Sequence, residues 1–194
     1  MVRIFLAGAS GVIGQRLIPL LADLGHTVGG MTRSIERAPL LRGLGAEPVV
    51  CDVYDAEALG AAVTAFRPDL VLHQLTDLPD DSRNLKTHAV FNARMRREGT
   101  RNLLLASRQA GDVRVIAQSV AWTMPPGPGA EAVEFLEEAV LAAQGTVLRY
   151  GQFYGHGTYY EQDQPAEPRV HIEVAAQRTI DALAAPSGVL TIVD

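Results

Sequence analysis

Apolar residues along this chain alternate between two periods. Residues 2–8 form a short apolar run of the strand kind, which flows directly into residues 11–24. There Val12, Ile13, Leu17, Leu20, Leu21 and Leu24 recur at helical spacing. Gly25 stops that helix, and residues 26–31 read as the next strand. The alternation then repeats: a short helix over residues 34–44, a strand over 47–51, and a helix over 56–66 with Asp55 as its N-cap. Pro68 closes that helix, and residues 69–75 form a buried strand. A long helix over residues 88–110, ended by Gly111, leads to a strand over 113–119. A helix over 130–143, a strand over 146–150, a helix over 173–184 and a strand over 189–193 complete the series. Strands alternating with helices predict right-handed βαβ units. The fold class is therefore α/β, a doubly wound, mostly parallel sheet of about seven strands, in one domain over residues 1–194.

Pro19 lies inside the first helix and predicts a kink there. Two stretches read as loops: Met124-Pro125-Pro126-Gly127-Pro128-Gly129, which is unsuited to a regular helix, and residues 155–169, with Pro165 and Pro168. Both follow a strand, which puts them at the carboxyl edge of the sheet, where doubly wound folds bind ligands. The first strand-to-helix turn reads Gly8-Ala9-Ser10-Gly11-Val12-Ile13-Gly14. Glycines in this position let the backbone approach a pyrophosphate that rests on the helix N-terminus. The bland alternative is a tight turn without a ligand.

Composition narrows the function classes. Among 194 residues with a net charge of -5, hydrophobic residues make up 47%, enough to form a core and too many for a disordered chain. The acidic balance argues against nucleic acid as the main partner. No run approaches a membrane span and none has the order of a signal peptide. Cys51 is the only cysteine, so a reducing cytoplasm is the expected location. Of the 17 basic residues Lys86 alone is a lysine, and any chemistry that needs a catalytic lysine must use it.

The GxxGxxG spacing after the first strand resembles the short-chain dehydrogenase/reductase superfamily, in its extended or atypical branch of epimerase/dehydratase-like proteins. Further segments agree: Asp52 after the third strand, His73-Gln74-Leu75-Thr76 after the fourth, and Arg97-Glu98-Gly99-Thr100-Arg101-Asn102-Leu103 on the long helix. Leu148-Arg149-Tyr150-Gly151 with Phe153-Tyr154-Gly155, and Val170-His171-Ile172-Glu173-Val174-Ala175, also agree. The resemblance implies a dinucleotide held by Gly8, Ser10, Gly11, Val12, Ile13 and Gly14, with Asp52 and Val53 near the adenine and Leu75, Thr76 and Ser119 along the cofactor. It also implies a homodimer packed through two long helices, and a larger C-terminal substrate region than this chain carries.

Two departures from the family pattern matter. The second strand ends Met31-Thr32-Arg33-Ser34, without the acid that accepts bonds from a ribose diol. Arg33 can pair with a 2′-phosphate and Ser34 can donate to it, which predicts NADP(H) over NAD(H). The Tyr-x-x-x-Lys pair, in which a lysine cation lowers a tyrosine's pKa for proton transfer, is missing from the helix over 130–143 and from the whole chain. Ser119 is the nearest match to the superfamily's serine, although Val120 fits the same slot; Tyr154 reads as a packing residue, with a remote substitute acid as the alternative.

The five histidines show no metal-ligand spacing; His73 and His171 read as structural, and His156 reads as a solvated loop histidine, with a place facing the cleft as the alternative. Arg94, Arg97, Arg101 and Arg108 recur at helical spacing and read as a solvated or intersubunit face rather than a phosphate track. The sequence thus points to an NADP(H)-dependent oxidoreductase or epimerase/dehydratase-like enzyme acting on a small carbonyl or alcohol. The alternative is a non-catalytic NADP(H)-binding redox sensor or scaffold.

Overall fold

The computed structural model describes residues 1–194. Its elements are β1 Arg3–Ala7, α1 Gly14–Asp23, β2 Thr27–Thr32, α2 Ala38–Leu44, β3 Glu47–Val50, α3 Ala56–Phe66 and β4 Leu70–His73. They continue with α4 Leu85–Arg94, a π turn Met95–Gly99, α5 Thr100–Gln109, β5 Arg114–Val120, α6 Pro128–Ala142 and β6 Thr146–Tyr150. The short strands β7 Gln152–Tyr154 and β8 Arg169–His171, then α7 Ile172–Asp181 and β9 Gly188–Ile192, complete the chain.

Seven strands form one sheet in the order β3-β2-β1-β4-β5-β6-β9, and every pairing is parallel. Because both faces are covered, the strands are apolar on both sides, and successive residues divide between two cores. In β1, Ile4 and Leu6 pack in the core under α1 and α7 with Leu17, Leu21, Ala175 and Ala176. Phe5 and Ala7 belong to the opposite core, with Leu59 and Val63 of α3 and Leu103 of α5. On that same side Ala117 and Val147 meet Leu136 and Val140 of α6. Asp55 caps α3 as expected, its carboxylate accepting the Ala58 amide at 3.0 Å.

The departures from the expected elements have local causes. α6 begins at Pro128, inside the stretch read as unable to hold a helix, because proline suits the first turn, where no amide partner is needed. α1 continues through Pro19 to Asp23 as expected, but starts at Gly14 rather than Gly11. The long helix starts three residues early, at Leu85, and contains the π turn. β7 and β8, three residues each, fall below the length at which alternation is visible; they pair parallel with each other and frame the 155–168 loop.

The sheet order reverses between β1 and β4, the neighbours at its centre. The ends of β2, β1, β4 and β5 therefore stand side by side over three strand spacings, roughly 14–15 Å. This row, at the carboxyl edge, carries the candidate site.

Candidate functional site

The turn after β1 is built to expose amides. The amides of Ser10, Val12, Ile13 and Gly14 meet no protein acceptor, whereas that of Gly11 donates to the Gly8 carbonyl at 3.0 Å and that of Gln15 to the Gly11 carbonyl. Gln15 also braces the loop through its side-chain amide, which donates to the Ser10 carbonyl at 2.9 Å. Four unused donors at a helix start form a ready anion cradle. Gly8 and Gly14 make it possible. Gly8 has φ +92°, and a Cβ there would lie 2.6 Å from the Gln74 carbonyl oxygen. A Cβ on Gly14 would lie 2.7 Å from the Ala9 carbonyl oxygen and closer still to that of Gly8. Ile13 is buried in the core and Val12 lies half-buried beside it.

Beside the cradle stands the end of β2. Thr32 is buried, its hydroxyl 3.4 Å from that of Ser10 and accepting the Ser34 amide at 3.3 Å. Arg33 is exposed and is in none of the ion pairs of the chain. Ser34 differs from expectation: its hydroxyl donates to the Glu36 carboxylate at 2.6 Å and is committed there rather than to a phosphate. That bond also lowers the Glu36 pKa, so its carboxylate is charged at neutral pH. At the end of β3, Asp52 is exposed and accepts the Tyr54 amide at 2.9 Å, while Val53 is buried. Leu75 and Thr76 lie half-buried past β4.

The loop past β5 and the start of α6 enclose a cleft of about 340 Å³. Val120, Ala121, Trp122, Thr123 and Met124 form one side, and Ala130, Val133, Glu134, Glu137 and Arg149 the other. Ser119 does not open into it. Ala117 and Ser119 face α6 on alternate positions of β5, and Ser119, 2% exposed, donates its hydroxyl to Glu137 Oε1 at 2.5 Å. Arg149 grips the same carboxylate with two nitrogens, at 2.9 and 2.5 Å. Burial raises the Glu137 pKa, but hydrogen bonds from Arg149 and Ser119 and the charges of Arg149 and Arg96 outweigh it, and the carboxyl sits below its ordinary range. Sequence reasoning missed Glu137, Arg149 and the cleft, because they come together only through the packing of α6 on β5 and β6.

Tyr154 takes the packing role expected of it rather than that of a substitute acid. Its hydroxyl donates to the Asp194 carboxylate at 2.8 Å and its ring packs edge-on against His171, so it acts in packing. His156 is a solvated loop histidine, as expected, and pairs with Glu161 at 2.6 Å. That loop is tied down at two points: Arg16 donates to the His156 carbonyl at 2.6 Å, and the Tyr159 hydroxyl donates to the Pro79 carbonyl. His171 accepts the Glu173 amide at the start of α7, a structural role. His73 is fully buried beside Thr100 at 3.0 Å; burial first, and the Arg96 charge second, push its pKa down to about 4. Among the helix arginines, Arg94 pairs with Glu98, Arg97 with Glu131, and Arg101 stacks on Phe135. No three His, Cys, Asp or Glu side chains converge as a metal site. No helix is long and apolar enough to cross a membrane.

A model of the NAD dependent epimerase/dehydratase family matches residues 4–142. A 3-diazoavenalumate denitrifying reductase from a Streptomyces species is 38% identical over 191 residues, covering 87% of this chain. The chain spans only 62% of that reductase's length. Among solved structures, the UDP-glucose 4-epimerase of Thermus thermophilus, in complex with NAD, superposes with a TM-score of 0.78 at 21% identity, over 98% of this chain and 77% of the other. The UDP-Glc/GlcNAc 4-epimerase of Campylobacter jejuni superposes with a TM-score of 0.80 at 14% identity, over 100% and 78%. At these identities the structural likeness is one of fold.

Proposed function

The chain belongs to the NAD dependent epimerase/dehydratase family, and from that premise we propose that it is an NADP(H)-dependent oxidoreductase acting on a small carbonyl or alcohol substrate. The observation that carries this reading is the cradle after β1, where four free amides and two glycines without room for a side chain leave space for a pyrophosphate. Those residues fit the cofactor. Gly8, Ser10, Gly11, Val12, Ile13 and Gly14 hold the pyrophosphate, Asp52 and Val53 border the adenine, and Leu75 and Thr76 line the path toward the cleft. Arg33, a cation without a partner at the end of β2, takes the 2′-phosphate and sets the preference for NADP(H), with Thr32 orienting the turn. The bound nicotinamide supplies or accepts a hydride.

The chain's own residues do the rest without a tyrosine–lysine pair. α6 has neither residue, and Lys86 lies exposed on α4. The 340 Å³ cleft receives the substrate, and Glu137, held by Ser119 and Arg149, fixes the relation of α6 to β5 at its floor. The likeness to a reductase favours the reductive direction. A homodimer through α4, α5 and α6 belongs to the same reading, since Val90, Phe91 and Leu105 are exposed on that side; sedimentation velocity checks it.

The test is transfer of deuterium from C4-labelled NADPH to a panel of small aldehydes and ketones, read by mass spectrometry of the products. Stereospecific transfer supports the enzyme. Tight NADPH binding with no transfer to any member of the panel would replace it with the redox-sensor or scaffold reading.

A further inference from the structure

One arginine of the long helix is unlike the rest. Arg96 sits in the π turn Met95–Gly99, a local widening of the helix that recurs at functional sites, and is only 8% exposed. Its neighbours Arg94 and Arg97 pair with glutamates on the surface. Arg96 has no carboxylate within 4.0 Å. The one protein atom in hydrogen-bonding reach of its guanidinium is the thioether sulfur of Met124, 4.0 Å from Nη1. Beyond that sulfur the guanidinium meets no protein acceptor, and its other nitrogens keep slight solvent contact, so its charge is left to water and to any anion that enters.

Glu137 does not fill that need. Its charge is felt at Arg96, yet Oε1 is occupied by Ser119 and Arg149 and Oε2 by Arg149. Arg149 and Arg96 thus share one carboxylate; Glu134, the other acid of the lining, pairs with neither arginine and balances the charge of the cleft as a whole, so the attraction for an anion is local to Arg96. Met124, Glu137 and Arg149 all line the cleft; Val120, Trp122 and Val133 give it an apolar wall. Met124 therefore separates Arg96 from the cleft by a single unbranched, flexible side chain.

We propose that the cleft binds a small organic carboxylate, whose anionic group pairs with Arg96 when the Met124 side chain turns aside and whose hydrocarbon part lies against Val120, Trp122 and Val133. The planar fork of a guanidinium matches a carboxylate with two parallel bonds, which a lysine does not reproduce. The proposal rests on the reading of this cleft as the substrate site and deepens it by naming the substrate class.

Trp122 is the only tryptophan of the chain and lines the cleft, so its fluorescence reports occupancy directly. The experiment titrates the protein, with and without saturating NADPH, with 3-phenylpropionate and with its uncharged amide, 3-phenylpropionamide. Wild-type protein is expected to bind the carboxylate about ten- to a hundredfold more tightly than the amide, the range of a charge-assisted hydrogen bond. Arg96→Gln abolishes the difference, Arg96→Lys keeps part of it, and Lys86→Gln on exposed α4 keeps all of it. Far-UV circular dichroism checks that each variant is folded, and the comparison in wild-type protein needs no variant. Equal affinities, or no saturable change with either compound, overturn the proposal. A full preference retained in folded Arg96→Gln overturns it as well. NADPH binding is measured in the same samples, so a failure of the cofactor reading is seen separately from a failure at Arg96.

Discussion

Gly14→Ala separates the two roles a glycine-rich turn can have, a phosphate cradle or merely a sharp corner. The added methyl would lie 2.7 Å from the Ala9 carbonyl oxygen, where an ordinary contact begins at 3.4 Å, and closer still to the Gly8 carbonyl. The loop must therefore open by at least 0.7 Å. Overpacking of this kind costs about 1–3 kcal/mol, and the gain of alanine over glycine in a helix returns up to about 1 kcal/mol. The net loss of stability is about 0–3 kcal/mol, a fall in Tm of up to roughly 12 °C for a chain of this size. Binding suffers more. The displaced carbonyl is the acceptor of the Gly11 amide, and opening the loop disperses the free amides of Ser10, Val12 and Ile13. Losing two hydrogen bonds to a charged group, at about 1.5–3 kcal/mol each, weakens NADPH binding by more than a hundredfold. The assay is thermal melting with and without NADPH, together with calorimetric titration. A variant that melts near the wild type but keeps the wild-type NADPH affinity would refute the cradle and leave only the corner.

Three other outcomes follow from the same geometry. Because His73 has its pKa at about 4 when folded and near 6.5 when unfolded, the unfolded chain binds the extra proton between those values. The His73 contribution is therefore fully present above about pH 6.5 and falls as the pH drops toward 4, by up to roughly 3 kcal/mol; urea titrations should show a shallower slope over this range in His73→Gln than in the wild type, the remainder coming from carboxylates such as Glu137. Ser119→Ala removes a hydroxyl from the buried Glu137 carboxylate and should lower stability by about 1.5–3 kcal/mol while leaving the NADPH dissociation constant unchanged, by melting and titration respectively. Tyr154→Phe should leave hydride transfer at the wild-type rate, since its hydroxyl is bound to Asp194; loss of turnover would reinstate Tyr154 as an acid.

The fold was legible because doubly wound sheets write themselves into sequence as apolar runs broken by helical periodicity. β1 and α1 illustrate it: Ile4 and Leu6 face one core, Phe5 and Ala7 the other, and the glycines between strand and helix mark the turn. The glycine-rich turn was legible for the same reason, since its residues are consecutive. The cleft was not. Arg96, Met124, Glu137 and Arg149 are far apart in sequence, and Arg96 lies one position off the stripe of Arg94, Arg97 and Arg101, where a π turn changes which face a residue takes. Ser34 and Ser119 were misread because their hydroxyls are claimed by Glu36 and Glu137, partners that only the folded backbone brings into reach.

The central claim is that this edge of the sheet binds NADP(H) through the cradle and Arg33. Calorimetric titration of wild-type protein and Arg33→Ala with NADPH and NADH tests it most directly. The account predicts tighter binding of NADPH by the wild type, and a loss in the variant of about ten- to a hundredfold for NADPH with NADH nearly unchanged. Equal losses for both nucleotides, or binding of neither by the wild type, would contradict it.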